Sequence, residues 1–592
     1  LDQWFADGEL NTCYLAIDRH VEKGRGQQIA LIYDSPVTQC IRKYSYQELQ
    51  HKVAHLAGGL QQLGVGKGDR VLIYMPMVPE AAMAMLAVAR LGAIHSVVFG
   101  GFAAHELALR IDHAQPRAIL TASCGIEVDH ILPYKPIIDQ ALQEAAHRPE
   151  AVVYLDRDQQ PVQLTEPHEY DWQQLVAGAS PAPCVAVRAT DPLYILYTSG
   201  TTGKPKGIIR DNGGHAVALH YSMEAVYGVE PGEVFWAASD VGWVVGHSYI
   251  VYAPLIRGCT SIVFEGKPVR TPDASTVWRM LEQHQVNVFF TAPTAFRAIA
   301  REDYRGHWPA HYSLRHLRRI YVAGERCDQA TLEWVMNVTG KPVIDHWWQT
   351  ESGWPMLANP AGLEMLPIKP GSSSKPVPGY DIRVLRADAT ECSAHEEGAV
   401  VVKLPLPPGC LPNLWHDTPR FRAGYLDPFP GYYYSGDGGY FDEEGYFFIT
   451  GRLDDIINVS GHRLSTAEME EVVASHPDVA ECAVIGVADS LRGQRPVGLV
   501  VPRSLEGEGA YERLVEEIIR KVREQIGAVA FFKSALIVDR LPKTRSGKIL
   551  RRTLRALADG KEAPVPSTVE DPSVVDEIAS LMQDKGLAPK TP

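Results

Sequence analysis

The chain lacks the features that would place it in a membrane, a disulfide scaffold or a nucleic-acid complex. Its most apolar stretch, Ala81 to Val98, is broken by Arg90, Gly92 and His95 and falls short of the roughly 20 apolar residues that span a bilayer. Nine cysteines form no C-x-x-C pair and no regular spacing, as expected for buried thiols in a reducing compartment. The formal charge of -14 speaks against nucleic acid, because binding its phosphates needs a basic face. No repeat of roughly 20 to 50 residues and no low-complexity tract is present.

What the chain does have is core-forming sequence. Hydrophobic residues make up 45% and charged residues 22% of 592, close to the soluble globular average. That length predicts at least two domains at about 150 residues each. The expected compartment is intracellular: the cytoplasm or, if a leader has been removed ahead of Leu1, the mitochondrial matrix.

Short apolar runs at Val71 to Tyr74, Ala93 to Phe99 and Arg117 to Thr121 alternate with helix-like segments such as Pro79 to Leu91. That alternation predicts an α/β fold of mainly parallel sheets flanked by helices. Tyr194 to Tyr197, Val286 to Thr291 and Arg319 to Ala323 repeat the strand-then-loop theme, and in such sheets ligands sit at the carboxyl ends of strands. Past Arg452 the style shifts to a smaller α+β unit: runs at Glu481 to Val487 and Ala535 to Val538, an amphipathic helix from Leu514 to Ile526, and a basic loop. The expected division is 1–452 and 453–592.

The strongest local signal is Thr198-Ser-Gly-Thr-Thr-Gly-Lys-Pro-Lys-Gly207. Its glycines let the backbone approach an anion, its hydroxyls donate hydrogen bonds, and its lysines supply charge. It reads as a polyphosphate loop. It is not a Walker A motif, since Lys204 precedes Pro205 where that motif needs Ser or Thr.

At these residues the chain resembles the adenylate-forming family of acyl-CoA synthetases, luciferases and peptide-synthetase adenylation domains. The resemblance runs along nearly the whole chain through Trp347-Trp-Gln-Thr-Glu351, Tyr434-Ser-Gly-Asp437, Gly451-Arg-Leu-Asp-Asp455, Asn458-Val-Ser-Gly-His-Arg463 and Pro542-Lys-Thr-Arg-Ser-Gly-Lys548. Asn11-Thr-Cys-Tyr14, the doubled Trp and Gly242-Trp-Val-Val-Gly-His-Ser-Tyr249 resemble the short-chain acetyl- and propionyl-CoA synthetase branch. Ile32-Tyr-Asp-Ser-Pro36, Val322-Ala-Gly-Glu-Arg-Cys-Asp328 and Val402-Lys-Leu-Pro-Leu-Pro-Pro408 are more similar to its propionyl-CoA members.

The resemblance implies a mobile C-terminal domain with its hinge at Asp454, ATP and coenzyme A as co-substrates, and Mg²⁺ as cofactor. The nucleotide would be held by Thr198, Ser199, Gly200, Thr201, Thr202, Gly203 and Lys204 of the loop. Gly324, Glu325 and Arg326, with Asp345, His346, Trp347, Trp348, Gln349 and Thr350, would line the adenine and α-phosphate site. Asp437 would accept from the ribose hydroxyls, with Arg452 and Arg463 as further cations. Glu351 would be the Mg²⁺ carboxylate. Lys548 would be the main catalytic residue of adenylate formation, with Thr350 and Glu351, stabilising charge that develops on phosphate oxygens. Its acetylation by a lysine acetyltransferase, reversed by a deacetylase, would remove that charge.

Coenzyme A would pass Ser460 and Gly461 and meet Arg523. Related enzymes place an Arg shortly after the phrase at Gly125-Ile-Glu127, where this chain has Val128-Asp129-His130, which puts a second phosphate contact in doubt. The acid would occupy a small pocket of Trp243, Val244, Val245, Ala323 and Trp348, with Trp348 as the floor. Acetate-preferring relatives usually carry Val at the position of Ala323, so propionate is the expected acid. One methylene decides only ~1 to 3 kcal/mol, so acetate should still react. Two rivals predict other features. Transfer to a carrier protein predicts an adjoining carrier domain, and none is evident. A non-catalytic nucleotide sensor predicts loss of Lys548, Glu351 or Asp437, and all three are present.

Overall fold

A computed structural model describes the chain except residues 1–3, 6, 199–205, 456, 460, 461, 465, 490–492, 504–508, 527–529, 545, 546, 562, 564, 567, 568 and 588–592. Two seven-stranded sheets dominate residues up to 345. In the first, hereafter sheet A, the order is Glu169–Asp171, Ala151–Leu155, Ala118–Ala122, Arg70–Met75, Ile94–Phe99, Pro192–Thr198 and Lys206–Asp211. All its pairs are parallel except the last. Sheet B runs Val343–Asp345, Arg319–Val322, Val288–Thr291, Val234–Ala237, Thr260–Phe264, Ile29–Ser35 and Cys40–Ser45, again parallel but for its final hairpin.

These strands read as apolar runs because both faces are covered. Helix Pro79–Arg90 starts on a proline, whose missing N–H costs nothing in the first turn, and eleven of its twelve residues are buried. One core cluster joins Leu72 and Ile73 of sheet A to Leu31 and Val263 of sheet B. Helix Tyr46–Gln62 is fixed at its start by a capping box, with Ser45 Oγ accepting from Glu48 N and the Glu48 carboxylate accepting from Ser45 N. All nine cysteines are free thiols, and no described helix is long and apolar enough to cross a membrane.

A four-stranded antiparallel sheet follows, in the order Ile382–Leu385, Gly398–Lys403, Tyr432–Phe441 and Phe447–Arg452. Beyond it, strands Ile457–Val459, His462–Leu464, Val479–Asp489, Gly493–Pro502 and Ala535–Ile537 form a separate sheet packed by helices Thr466–Ala474 and Ala510–Gln525. The two core clusters of this last region contain no residue before Ile457. The architecture is that of the adenylate-forming enzymes: a large parallel-sheet portion with helices and a smaller C-terminal portion with antiparallel strands.

Candidate active site

The carboxyl ends of parallel strands from both sheets open onto one cavity of about 1420 Å³. Pro192–Thr198 of sheet A delivers Thr198, Arg319–Val322 of sheet B delivers Ala323 to Arg326, and Val343–Asp345 leads into His346 to Glu351. The antiparallel sheet contributes Asp437 and Arg452, and the C-terminal portion closes the cavity with Thr544 and Lys548. Residues far apart in sequence therefore share one space.

Asp437 is the most heavily bonded carboxylate among these. It accepts from Trp347 Nε1 at 3.0 Å, Gln349 Nε2 at 2.7 Å and Arg452 Nη1 at 3.4 Å. Burial raises its pKa, opposed by Arg452, the Trp347 hydrogen bond, the charge of Lys548 and Gln349. Gln349 is itself held, donating to Ser435 O at 2.9 Å and accepting from Tyr433 Oη at 2.9 Å. Asp345 is buried, accepts a long bond of 3.4 Å from Cys327 N, and is pushed up to about 8 by desolvation. His346 bonds Val322 O at 2.7 Å and Tyr227 Oη at 2.9 Å through its two ring nitrogens, and burial takes its pKa down to about 4.

Glu351 receives Tyr425 Oη at 2.6 Å and Lys206 Nζ at 3.6 Å, both on Oε1. Its Oε2 takes no hydrogen bond or ion pair from the described residues. One half-engaged carboxylate in the cavity wall fits Mg²⁺, which takes one or two protein carboxylates and completes its shell with phosphate oxygens and water. Three lining residues also carry buried polar atoms without a partner among the described residues, Thr198 Oγ1, Arg326 Nε and Trp348 Nε1. Such atoms are costly unless a ligand or water meets them.

Val244, Val245, Ala323 and Trp348 line the same cavity. The Trp348 ring stands edge-on to Tyr249 at 5.4 Å and lies 6.2 Å from Phe290. Trp243, expected in this pocket, instead stacks on Phe99 at 5.4 Å and meets Phe102 edge-on at 6.3 Å. It is absent from the cavity wall, its indole packed instead on Phe99, which ends the Ile94–Phe99 strand, and on Phe102 just beyond it.

Glu325 and Arg326, expected to line the nucleotide site, border the cavity while their side chains are bonded to protein partners. Glu325 accepts from Thr294 Oγ1 at 2.6 Å and Arg297 Nη1 at 2.7 Å. Arg326 reaches across to the C-terminal portion, donating to Ala467 O at 3.0 Å and pairing with Glu471. Gly324 keeps the left-handed conformation, φ +102°, that only glycine adopts without strain.

Ser199 to Lys204, Ser460 and Gly461 lie outside the described residues. For Arg463 the backbone alone is described, opposite Asn458 in a strand pair, and Asp454 falls in the helical turn Leu453–Asp455. Arg523 is exposed in the last turn of helix Ala510–Gln525 and does not border the cavity. Val128 adopts φ +59° between strands Cys124–Glu127 and His130–Pro133, with His130 exposed. Sequence reasoning missed Tyr425, which belongs to no motif, and gave no role of its own to Lys206, although it stands inside the glycine-rich phrase. It also missed Arg210, four residues further on.

A polyphosphate-loop phrase, one large cavity walled by both portions and a lysine, Lys548, brought to it by the smaller portion together define an adenylate-forming class of enzyme. The chain belongs to the AMP-binding enzyme family: the model of that family matches residues 17–407, and the model of the AMP-binding enzyme C-terminal domain matches residues 468–548. It is 57% identical to an uncharacterized protein of Pseudomonas aeruginosa, over 98% of this chain and 92% of that one. It is 49% identical to the human acyl-CoA synthetase short-chain family member 3, mitochondrial, over 98% and 85%. It is 44% identical to the propionate--CoA ligase of Escherichia coli, over 98% and 93%. Among solved structures, acetoacetyl-CoA synthetase from Streptomyces lividans superposes with a TM-score of 0.85 at 23% identity, covering 98% of this chain and 88% of that one. That likeness shows the shared fold.

Proposed function

We propose that the chain is a short-chain acyl-CoA synthetase acting on propionate. Propionate and ATP give propionyl-adenylate and diphosphate, and coenzyme A then takes the acyl group and releases AMP. The observation that carries this reading is the single cavity shared by Thr350, Glu351, Asp437 and Lys548 with Ala323 and Trp348. A nucleotide clamp and a small apolar recess in one space suit a reaction that joins an acid to the α-phosphate.

In the first step a propionate oxygen attacks the α-phosphorus and the bond to diphosphate breaks. Lys548 stabilises the charge spreading over the phosphoryl oxygens, and Thr350 donates to them. Asp437 and Arg452 hold the ribose, Arg463 would supply a positive group for the phosphate, and the loop Thr198 to Lys204 would cradle the leaving phosphates. Glu351 would hold Mg²⁺, which when bound neutralises phosphate charge. In the second step the thiol attacks the acyl carbonyl and AMP leaves. For this the unit 453–592 turns about Asp454, withdrawing Lys548 and bringing Ser460 and Gly461 toward the thiol path, with Arg523 near a coenzyme A phosphate.

Ala323 and Trp348 support propionate: a methyl side chain leaves room beside an indole floor, which in turn excludes long chains. The 44% identity to a propionate--CoA ligase supports it independently. The test is coenzyme A-dependent AMP formation with acetate, propionate, butyrate and hexanoate, compared by kcat/KM. Propionate should lead, acetate should follow by about 10-fold or more, and hexanoate should fail. Acetate in the lead would transfer the assignment to acetyl-CoA synthesis, and no AMP with any acid would refute it.

A further inference from the structure

Arg210 is fully buried (0% exposed), yet among the described residues no carboxylate lies within ion-pair distance of it. Its neighbour Asp211 is turned to the start of helix Asn212–Ala225, accepting from His215 N at 3.2 Å. The guanidinium instead donates to four oxygens. Nε reaches Tyr194 Oη at 3.1 Å, Nη1 reaches the carbonyls of Glu351 at 2.9 Å and Gly409 at 2.7 Å, and Nη2 reaches the carbonyl of Thr350. A buried cation is costly unless its donors are met, and charge-assisted bonds are the stronger kind. Three of the four acceptors here are backbone, so the charge is used to hold chain rather than to neutralise an acid.

Two of those carbonyls belong to Thr350 and Glu351, whose side chains line the cleft and are proposed above to hydrogen-bond the phosphoryl oxygens and to hold the metal. The strand Lys206–Asp211 addresses this turn twice, since alternate residues of a strand share a face: Lys206 meets the Glu351 carboxylate at 3.6 Å, and Arg210 meets the Glu351 carbonyl. Gly353 completes the arrangement. It has φ +76°, and a Cβ there would lie 2.7 Å from Arg210 Cζ, so the chain passes the guanidinium only as glycine.

We propose that Arg210 is a positioning residue for adenylate formation: it fixes the backbone of Thr350 and Glu351 so that both side chains face the α-phosphate. This rests on the proposed function. The thiol step, which no longer needs the attacking carboxylate and the diphosphate aligned, depends on that turn less.

Arg210→Lys keeps the charge but cannot present a planar fork to several carbonyls. It should lower kcat for adenylate formation on the order of 10²-fold, the cost of misplacing reacting groups by about 1 Å. The KM for propionate should stay within about twofold, and transfer from supplied propionyl-adenylate to coenzyme A within about threefold. Amide exchange of a peptide spanning 347–353 should quicken in the unliganded variant. Tyr194→Phe, which removes one acceptor and leaves the turn untouched, should slow adenylate formation by about fivefold, and it decides the matter if Arg210→Lys does not fold. Adenylate formation within about threefold of the parent in Arg210→Lys, or an equal loss of both half-reactions, would overturn the inference. A parent chain that forms no adenylate would refute the functional reading instead.

Discussion

The two sides of the cleft are built differently. On the N-terminal side, Asp437 is buried and held by Trp347, Gln349 and Arg452, and Gln349 is held in turn by Ser435 and Tyr433. On the C-terminal side, Lys548 is exposed on a short loop closed by backbone bonds between Thr544 and Lys548 and between Gly547 and Thr544. Among the described residues the four largest hydrophobic clusters each stay within one portion, whereas polar contacts cross the seam: Arg326 to Glu471, Arg326 to Ala467 O, and the Arg503 guanidinium 4.2 Å over the Tyr304 ring. A fixed wall suits groups needed in the same place throughout the reaction. An exposed lysine on a separately cored unit suits a group needed for one step.

The contrast is tested most severely at Lys548. Lys548→Ala should lower adenylate formation by on the order of 10²-fold or more, while leaving the midpoint of thermal unfolding unchanged, because an exposed side chain without a packing role contributes little to stability. Transfer from supplied propionyl-adenylate to coenzyme A should persist. A variant that lost stability along with both steps would make Lys548 part of the scaffold. Asp437→Ala should behave in the opposite manner. It strands the indole N–H of Trp347 and the Gln349 amide in a buried place, at about 1 to 3 kcal/mol, so the unfolding midpoint should fall and the KM for ATP should rise by about tenfold. Titration calorimetry with ATP separates lost affinity from lost turnover.

Much of this fixed wall was legible in the sequence, and the seam was not. The runs at Val71 to Tyr74, Ala93 to Phe99 and Arg319 to Ala323 became the strands Arg70–Met75, Ile94–Phe99 and Arg319–Val322, because parallel strands covered on both faces are written as unbroken apolar residues. The antiparallel strand Tyr432–Phe441 carries three glycines and polar residues, so only its Tyr434-Ser-Gly-Asp437 phrase announced it. Thr350, Glu351 and Asp437 were legible because each sits in a compact motif. Arg210 escaped notice because its acceptors are carbonyls 140 and more residues away, and carbonyls leave no mark in a sequence. Trp243 was misplaced for the converse reason: a motif gives the position of a residue along the chain but not the direction of its side chain, which here follows Phe99 and Phe102.

The smallest expected effect lies at the seam itself. The Arg326 and Glu471 side chains are 23% and 30% exposed, so solvent screens their pairing, and such contacts contribute about 0.2 to 1 kcal/mol. If the C-terminal unit leaves this arrangement for the thiol step, as proposed, the pair favours the adenylate-forming state alone. Arg326→Ala should then lower the rate of adenylate formation relative to acyl transfer by about two- to fivefold, the ratio equivalent to up to about 1 kcal/mol. Raising the ionic strength of the parent to about 1 M, where the screening length falls to about 3 Å, should shift the same ratio in the same direction and leave the variant nearly unmoved. An Arg326→Ala chain whose ratio equals that of the parent at low salt would show that neither the Glu471 pair nor the bond to the Ala467 carbonyl favours the adenylate-forming state.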